Sequence, residues 1–250
     1  MDFNLKRFWE VAEQKAKPEA NFVLFATMRF AVDLINSRRK FFRYDLCWNK
    51  NNKCGFLWAN HQPLRSHESI LIFIRPGFFK KATYNALRTP GGRAAQRRIS
   101  RASNGVYGAT NSYISVCDGL LHPSSVLCFD SDRGNNNAKI HPTQKPLALM
   151  QWLVSAYTNP GDTVIDPFAG SGTTALACLT LGRKCIAIER EQKYFDIACQ
   201  RVEQAYHGAD ANDGQPYFPI HSGYDTKQNY RRGFGFNVPR IDYSQLTGHY

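Results

Sequence analysis

The chain has 250 residues, enough for one large domain with a buried core. Its 32 Lys and Arg against 20 Asp and Glu leave a formal net charge of +12, which favours a polyanionic partner. It contains no apolar run long enough to span a membrane and no signal-peptide core at its N-terminus, and its seven cysteines form no CxxC pair. These features argue against a membrane protein, a zinc site or a disulfide framework, and for a reducing cytoplasm.

In chain order, residues 5–17 read as a helix that ends at Pro18. NFVLFAT (21–27) is a short apolar run of strand type, and MRFAVDLINS follows it with helical spacing. FFRYDLCW (41–48) and HESILIFI (67–74) are further strands, with a polar loop, Asn49 to Ser66, between them. KPLALMQWLVSAYT (145–158) is a helix. Pro146 suits its first turn, and Leu147, Met150, Val154 and Tyr157 share one face. NPGD (159–162) is a turn, TVID (163–166) a buried strand, and TTALACLTL (173–181) a helix stopped by Gly182. KCIAIE (184–189) is the next strand and Gln192 to Tyr206 the last helix. Strands alternating with helices imply an α/β fold with a parallel sheet covered on both faces. The tail from His207 to Tyr250, rich in Gly, Asn, Asp and Tyr, reads as irregular.

Charge is distributed unevenly. No acidic residue lies between Glu68 and Asp118, an interval that carries Arg75, Lys80, Lys81, Arg88, Arg93, Arg97, Arg98 and Arg101. A solvated loop would account for this. So would an insertion over residues 75–125 whose cations meet nucleic-acid phosphates while Tyr84 and Tyr107 reach bases.

The stretch DPFAGSGTT (166–174) carries the chemistry. Asp166 ends a strand, and ligands of open parallel sheets sit beyond such carboxyl ends. Gly170 and Gly172 let the backbone turn tightly and approach a ligand. Glu189 ends the neighbouring strand, where its carboxylate can accept both hydroxyls of a ribose. The spacing Gly170, Gly172, Ala175, Glu189 also satisfies the dinucleotide fingerprint, and a plain packing turn has the same glycines. Asp-Pro-Phe adds a carboxylate and a ring, which suits a cationic nucleoside.

HPTQKP (141–146), NPGDTVIDPFAGSGTTALACLTLGRKCIAIERE and the YFDIACQRV helix together resemble the cofactor half of the DNA amino-methyltransferases. VLF, CWNK and PLRSHESILIF resemble the strands that the family places before its target-recognition segment. The likeness covers roughly residues 5–206, and its motif order resembles the permuted β group. It implies S-adenosylmethionine as cofactor, double-stranded DNA as partner and a seven-stranded Rossmann-like sheet with a DNA-recognition insertion. By the same likeness, Asp166, Phe168, Ala169, Gly170, Gly172 and Thr173 form the donor loop and Glu189 the ribose acid. His141 and Lys145 line the donor site, and His67 and Glu68 match a recurrent pair. Lys50, Arg65, Lys80, Lys81, Arg93, Arg97, Arg98 and Arg101 are the candidate DNA contacts, and no metal is implied. The expected division is 1–74 for the target-base half, 75–125 for recognition, 126–206 for S-adenosylmethionine and 207–250 for the tail.

One motif of the family is missing. Its members extract the target base and hold the amino group with a D/N/S-P-P-Y/F/W loop, which orients the nitrogen lone pair towards the methyl group. No such tetrapeptide occurs in the 250 residues; Gln215-Pro216-Tyr217 in the tail has only one proline. No catalytic residue is therefore assigned. The expectation is a chain short by one N-terminal strand and its loop, with a second chain or a homodimer as a further partner. Site-specific methylation of N6 of adenine, as in restriction-modification, is the expected family function, since the Tyr-type loop is the commoner one. An inactive DNA-binding relative, N4 of cytosine and RNA are the alternatives.

Overall fold

In a computed structural model, the described residues are 3–91, 96–100, 103–105, 108–110, 113–117, 119–131 and 143–210; for 96–117 and 208–210 only the backbone is described. They fall into two compact units, one formed by the chain up to Asn85 together with that from Ser125 onward, the other by Ala86–Ser124.

The first unit opens with helix α1 (Leu5–Lys15), started by the Asn4 side chain, which accepts the Arg7 N–H at 2.9 Å. Strand β1 (Asn21–Ala26), helix α2 (Met28–Ser37), strand β2 (Phe42–Cys54), a 3₁₀ turn (Phe56–Trp58) and strand β3 (Arg65–Ile74) follow. The second unit holds β4 (Thr89–Pro90), β5 (Gln96–Ser100), β6 (Ser103–Gly105), β7 (Gly108–Thr110), β8 (Tyr113–Cys117) and β9 (Leu120–Leu121). The first unit resumes with β10 (Val126–Cys128), α3 (Leu147–Tyr157), β11 (Thr163–Asp166), α4 (Thr173–Thr180), β12 (Lys184–Ala187) and α5 (Gln192–Asp210).

Strands of the first unit form a four-stranded sheet in the order β1-β3-β2-β10 and a parallel pair β11-β12. The sheet is mixed rather than parallel throughout. β3 runs antiparallel to both β1 and β2. The cause is the direct β2–β3 connection, residues 55–64, which has no crossover helix to return the chain to its starting edge. β3 is flanked on both sides, and Ile70 to Ile74 are buried without a break. Trp9, Phe22, Ala26, Ala31, Leu34, Leu71 and Phe73 pack α1 and α2 on the sheet, with the Trp9 indole N–H donating to the Ser37 hydroxyl at 2.8 Å. Val154 on α3 and Ala177 and Cys178 on α4 form a second core that takes in Val164 of β11 and Cys185 of β12. No helix among the described residues is long and apolar enough to cross a membrane.

In the second unit, the pairs β4·β9, β5·β8 and β6·β7 are nested antiparallel pairs. Arg97 opposite Val116 and Ser103 opposite Thr110 keep one register, so β5 to β8 make one hairpin arm. The interval read from sequence as a basic insertion thus contains a β-arm that periodicity did not reveal.

Candidate functional site

The turn between β11 and α4 is built by its own side chains. Asp166 accepts the Phe168 N–H through Oδ1 at 3.0 Å and the Thr174 hydroxyl through Oδ2. Gly170 and Gly172 adopt φ of +53° and +77°, a region that residues with a Cβ rarely enter. A Cβ on Gly172 would lie 2.8 Å from that of Ala198, so this position also sets how closely α5 approaches the turn. Glu189, just beyond β12, accepts the Gly170 N–H at 2.8 Å through Oε2 and the Glu191 N–H at 2.9 Å through Oε1. The acid expected to hold a ribose is thereby locked in place against the glycine turn. Asp166, expected as a charge on the pocket floor, spends both oxygens on holding the turn. Phe168 is 63% exposed, with its ring 5.6 Å from Phe3 and 6.5 Å from Phe8. Thr173 Oγ1 is buried at the start of α4 with no hydrogen-bond partner among the described residues. An exposed ring, a pinned carboxylate, two left-handed glycines and an unpartnered hydroxyl suit a nucleoside ligand.

A second cluster lies at the same edge of the fold. Glu68 on β3 accepts Lys145 Nζ at 2.7 Å through Oε2 and Lys50 Nζ through Oε1, and all three side chains are largely buried. The Lys145 ammonium stands 4.7 Å from the Phe25 ring centre and 5.3 Å from that of Trp48. Burial alone raises the Glu68 carboxyl, but hydrogen bonds and charge from Lys145 and Lys50 outweigh it and hold the group below its ordinary value. Lys145 has a neighbour with the opposite reach: the Gln144 amide oxygen accepts the Ser171 hydroxyl of the glycine turn at 3.0 Å. Residues 144–145 therefore tie the glycine turn to the ends of β2 and β3. Gln144 and Arg201, which donates to the Ser171 carbonyl, escaped the sequence reading because their partner Ser171 lies 27 and 30 residues away, and Thr174 escaped it because its bond to Asp166 exists only once the turn has formed.

The remaining expected site residues are dispersed. Lys50 is committed to Glu68. Arg65 and His67 are exposed near the start of β3, and Lys80 and Lys81 are exposed in the segment after it. Ala169 is buried in the turn. Arg97 and Arg98 lie on β5 of the hairpin arm. His141, Arg93 and Arg101 lie outside the described residues. Arg75 of the basic interval donates to the Lys17 carbonyl at 2.8 Å and to those of Ala16 and Glu13, so it serves the carboxyl end of α1.

A parallel strand–turn–helix–strand unit, with left-handed glycines in the turn and an acid closing the second strand, is the nucleoside-binding half of a Rossmann-like α/β protein. The DNA methylase family N6_N4_Mtase matches residues 1–200. The chain belongs to this DNA methylase family. It is similar to the Type II methyltransferase M.HpaI of Haemophilus parainfluenzae, 35% identical over 150 residues, or 59% of this chain and 41% of the relative. It is also similar to the Type II methyltransferase M.HinfI of Haemophilus influenzae, 42% identical over 80 residues, or 31% and 22%. The chain thus spans less than half the length of these curated relatives. Among solved structures, the M1.HpyAVI–SAM complex matches with a TM-score of 0.53 and 28% identity, covering 76% of this chain and 78% of that one. The PvuII cytosine-N4-specific DNA methyltransferase, at 18% identity and a TM-score of 0.52 over 82% and 76%, shares the fold.

Proposed function

We propose that this chain carries the S-adenosylmethionine site and a DNA-binding surface of a site-specific DNA amino-methyltransferase, with N6 of adenine as the methylated atom. The observation that carries the proposal is the Gly170–Gly172 turn locked to the Glu189 carboxylate. The cofactor, when bound, supplies an electrophilic methyl group. Glu189 would hold its ribose, the exposed Phe168 ring would lie against it, and the Thr173 hydroxyl, which has no hydrogen-bond partner among the described residues, would gain one. The strap at Gln144 and Lys145 keeps this site in register with the ends of β2 and β3, where a target base would be presented. In the second unit, Arg97 and Arg98 of the hairpin arm supply cations for DNA phosphates; in the first, the exposed Lys80, Lys81 and Arg65 are the candidates.

The 250 residues hold no D/N/S-P-P-aromatic tetrapeptide, so in this proposal turnover requires an acceptor loop that they do not themselves contain. The same absence favours a second reading, a relative that binds the donor and DNA but does not turn over. Tritiated methyl transfer to mixed-sequence duplex DNA, followed by nucleoside chromatography, separates these readings. N6-methyladenine is expected only when a D-P-P-Y-bearing segment is added to the chain. Label in N4-methylcytosine overturns the adenine assignment, and no transfer under either condition supports the second reading.

A further inference from the structure

The β2–β3 connection carries a feature that the donor site does not use. Gly55, at φ +96°, turns the chain out of β2 into the 3₁₀ turn Phe56–Trp58. Phe56, Leu57 and Trp58 are 73%, 94% and 59% exposed, three consecutive large apolar residues facing solvent. Isolated exposed apolar residues are ordinary, but a contiguous group is a contact surface. The flanks of this group indicate its partner. From Leu46 to His67 the sequence has no Asp or Glu, and although Lys50 is taken up by Glu68, Lys53 and Arg65 are exposed on either side of the tip. Along the chain the apolar tip is thus flanked by exposed cations, Lys53 before it and Arg65 after it, which suits a polyanion. Its position is fixed by the strands beneath it: Cys54 pairs with Arg65, and Trp48 pairs with Glu68, which ties through Lys145 to the residue holding Ser171 of the donor turn. The tip stands on the strand ends that border the methyl-donor site.

We infer that Phe56, Leu57 and Trp58 form an apolar wedge that enters double-stranded DNA between base steps beside the target base. Apolar side chains on basic surfaces unstack base pairs in this way, and unstacking eases extraction of a base for chemistry. The inference rests on the DNA-methylase reading above and names the residues that deform the duplex. Trp58 stacks on a base face, with the His61 ring bracing it edge-on at 6.0 Å.

The test uses the whole chain and a short mixed-sequence duplex. Of the four tryptophans, Trp9 and Trp48 are buried and Trp152 is half-buried, so Trp58 dominates quenching by acrylamide. DNA is expected to shield that emission, and Trp58→Phe is expected to abolish the effect while keeping affinity. Replacing Phe56, Leu57 and Trp58 together by serine is expected to lower DNA affinity roughly tenfold with an unchanged salt slope, since no cation is lost. The single Trp58→Ser variant repeats the measurement with the least disturbance to folding. Full affinity in the serine variants together with unshielded Trp58 overturns the wedge. Shielding of Trp58 without DNA, with association of the chain that the serine variants abolish, overturns it in favour of a contact between copies. Failure of the wild-type chain to bind the duplex even at low salt overturns the DNA-binding reading beneath it.

Discussion

Replacing Gly172 with alanine perturbs the turn between β11 and α4 where it packs on α5. The residue sits at φ +77°, and a Cβ there meets the Cβ of Ala198 at 2.8 Å and its Cα at 3.2 Å. Holding alanine in the left-handed region costs about 1–2 kcal/mol. Neither Ala198 atom is the end of a flexible side chain, so α5 must shift, an overpacking cost of about 1–3 kcal/mol. Loss of glycine's freedom in the unfolded chain returns about 0.4–1 kcal/mol. The net destabilisation is about 2–4 kcal/mol, or roughly 5–15 °C in melting temperature for a chain of this size. Urea unfolding followed by circular dichroism measures it. A double-mutant cycle with Ala198→Gly isolates the contact, with an expected coupling of about 1–3 kcal/mol, because removing the Ala198 methyl relieves the overlap but not the backbone strain. A Gly172→Ala chain within about 0.5 kcal/mol of wild type, or the absence of coupling, would refute the packing argument.

Glu68→Gln leaves two ammonium groups facing each other and is expected to cost about 1–3 kcal/mol at neutral pH by urea unfolding. Because the folded Glu68 carboxyl is held below its ordinary value of 4.5, its stabilisation is complete above that pH and fades as pH falls through the folded value, where wild type and Glu68→Gln converge. A wild-type advantage that persists undiminished in acid would contradict the ion-pair account. Replacing Arg97, Arg98 and Arg101 together is expected to weaken DNA binding and flatten its logarithmic salt dependence by up to about 0.9 per lost phosphate contact; an unchanged slope removes these residues from the DNA surface.

Legibility in the sequence followed the range of the interactions. From Thr163 to Asp210, each apolar run is bounded by local signals, NPGD before β11, Gly170 and Gly172 before α4 and Gly182 after it, so strand, helix and acid could be placed by spacing. The hairpin arm escaped because β5 and β6 hold mostly Arg, Ser, Asn and Gln, and their strand character comes from cross-strand pairing. The second half of β2, Asn49 to Cys54, is polar and read as loop, yet it is held beside β3 across an irregular register. At the site, Glu189 and the glycines were legible as a local pattern. The commitment of Lys50 to Glu68 joins residues 18 apart on neighbouring strands and the tie to Lys145 spans 77, separations that no local pattern encodes. Asp166 was legible as important but not as structural, since its partners, the Phe168 N–H and the Thr174 hydroxyl, exist only once the turn has formed. Of the seven strands that the family likeness implies, the described residues of the first unit show a four-stranded sheet and a separate pair.

Calorimetric titration of S-adenosylmethionine into the wild-type chain, Glu189→Gln and Glu189→Ala tests the central claim most directly. Glu189 is locked to the glycine turn by the Gly170 and Glu191 amides, so under the proposed assignment its carboxylate would meet a ribose without reorganising. Wild type is expected to bind. Glu189→Ala is expected to bind more weakly by about 1–3 kcal/mol, the scale of a lost charge-assisted hydrogen bond, with Glu189→Gln between the two. Equal affinity for all three chains would contradict the assignment of this turn as the methyl-donor site.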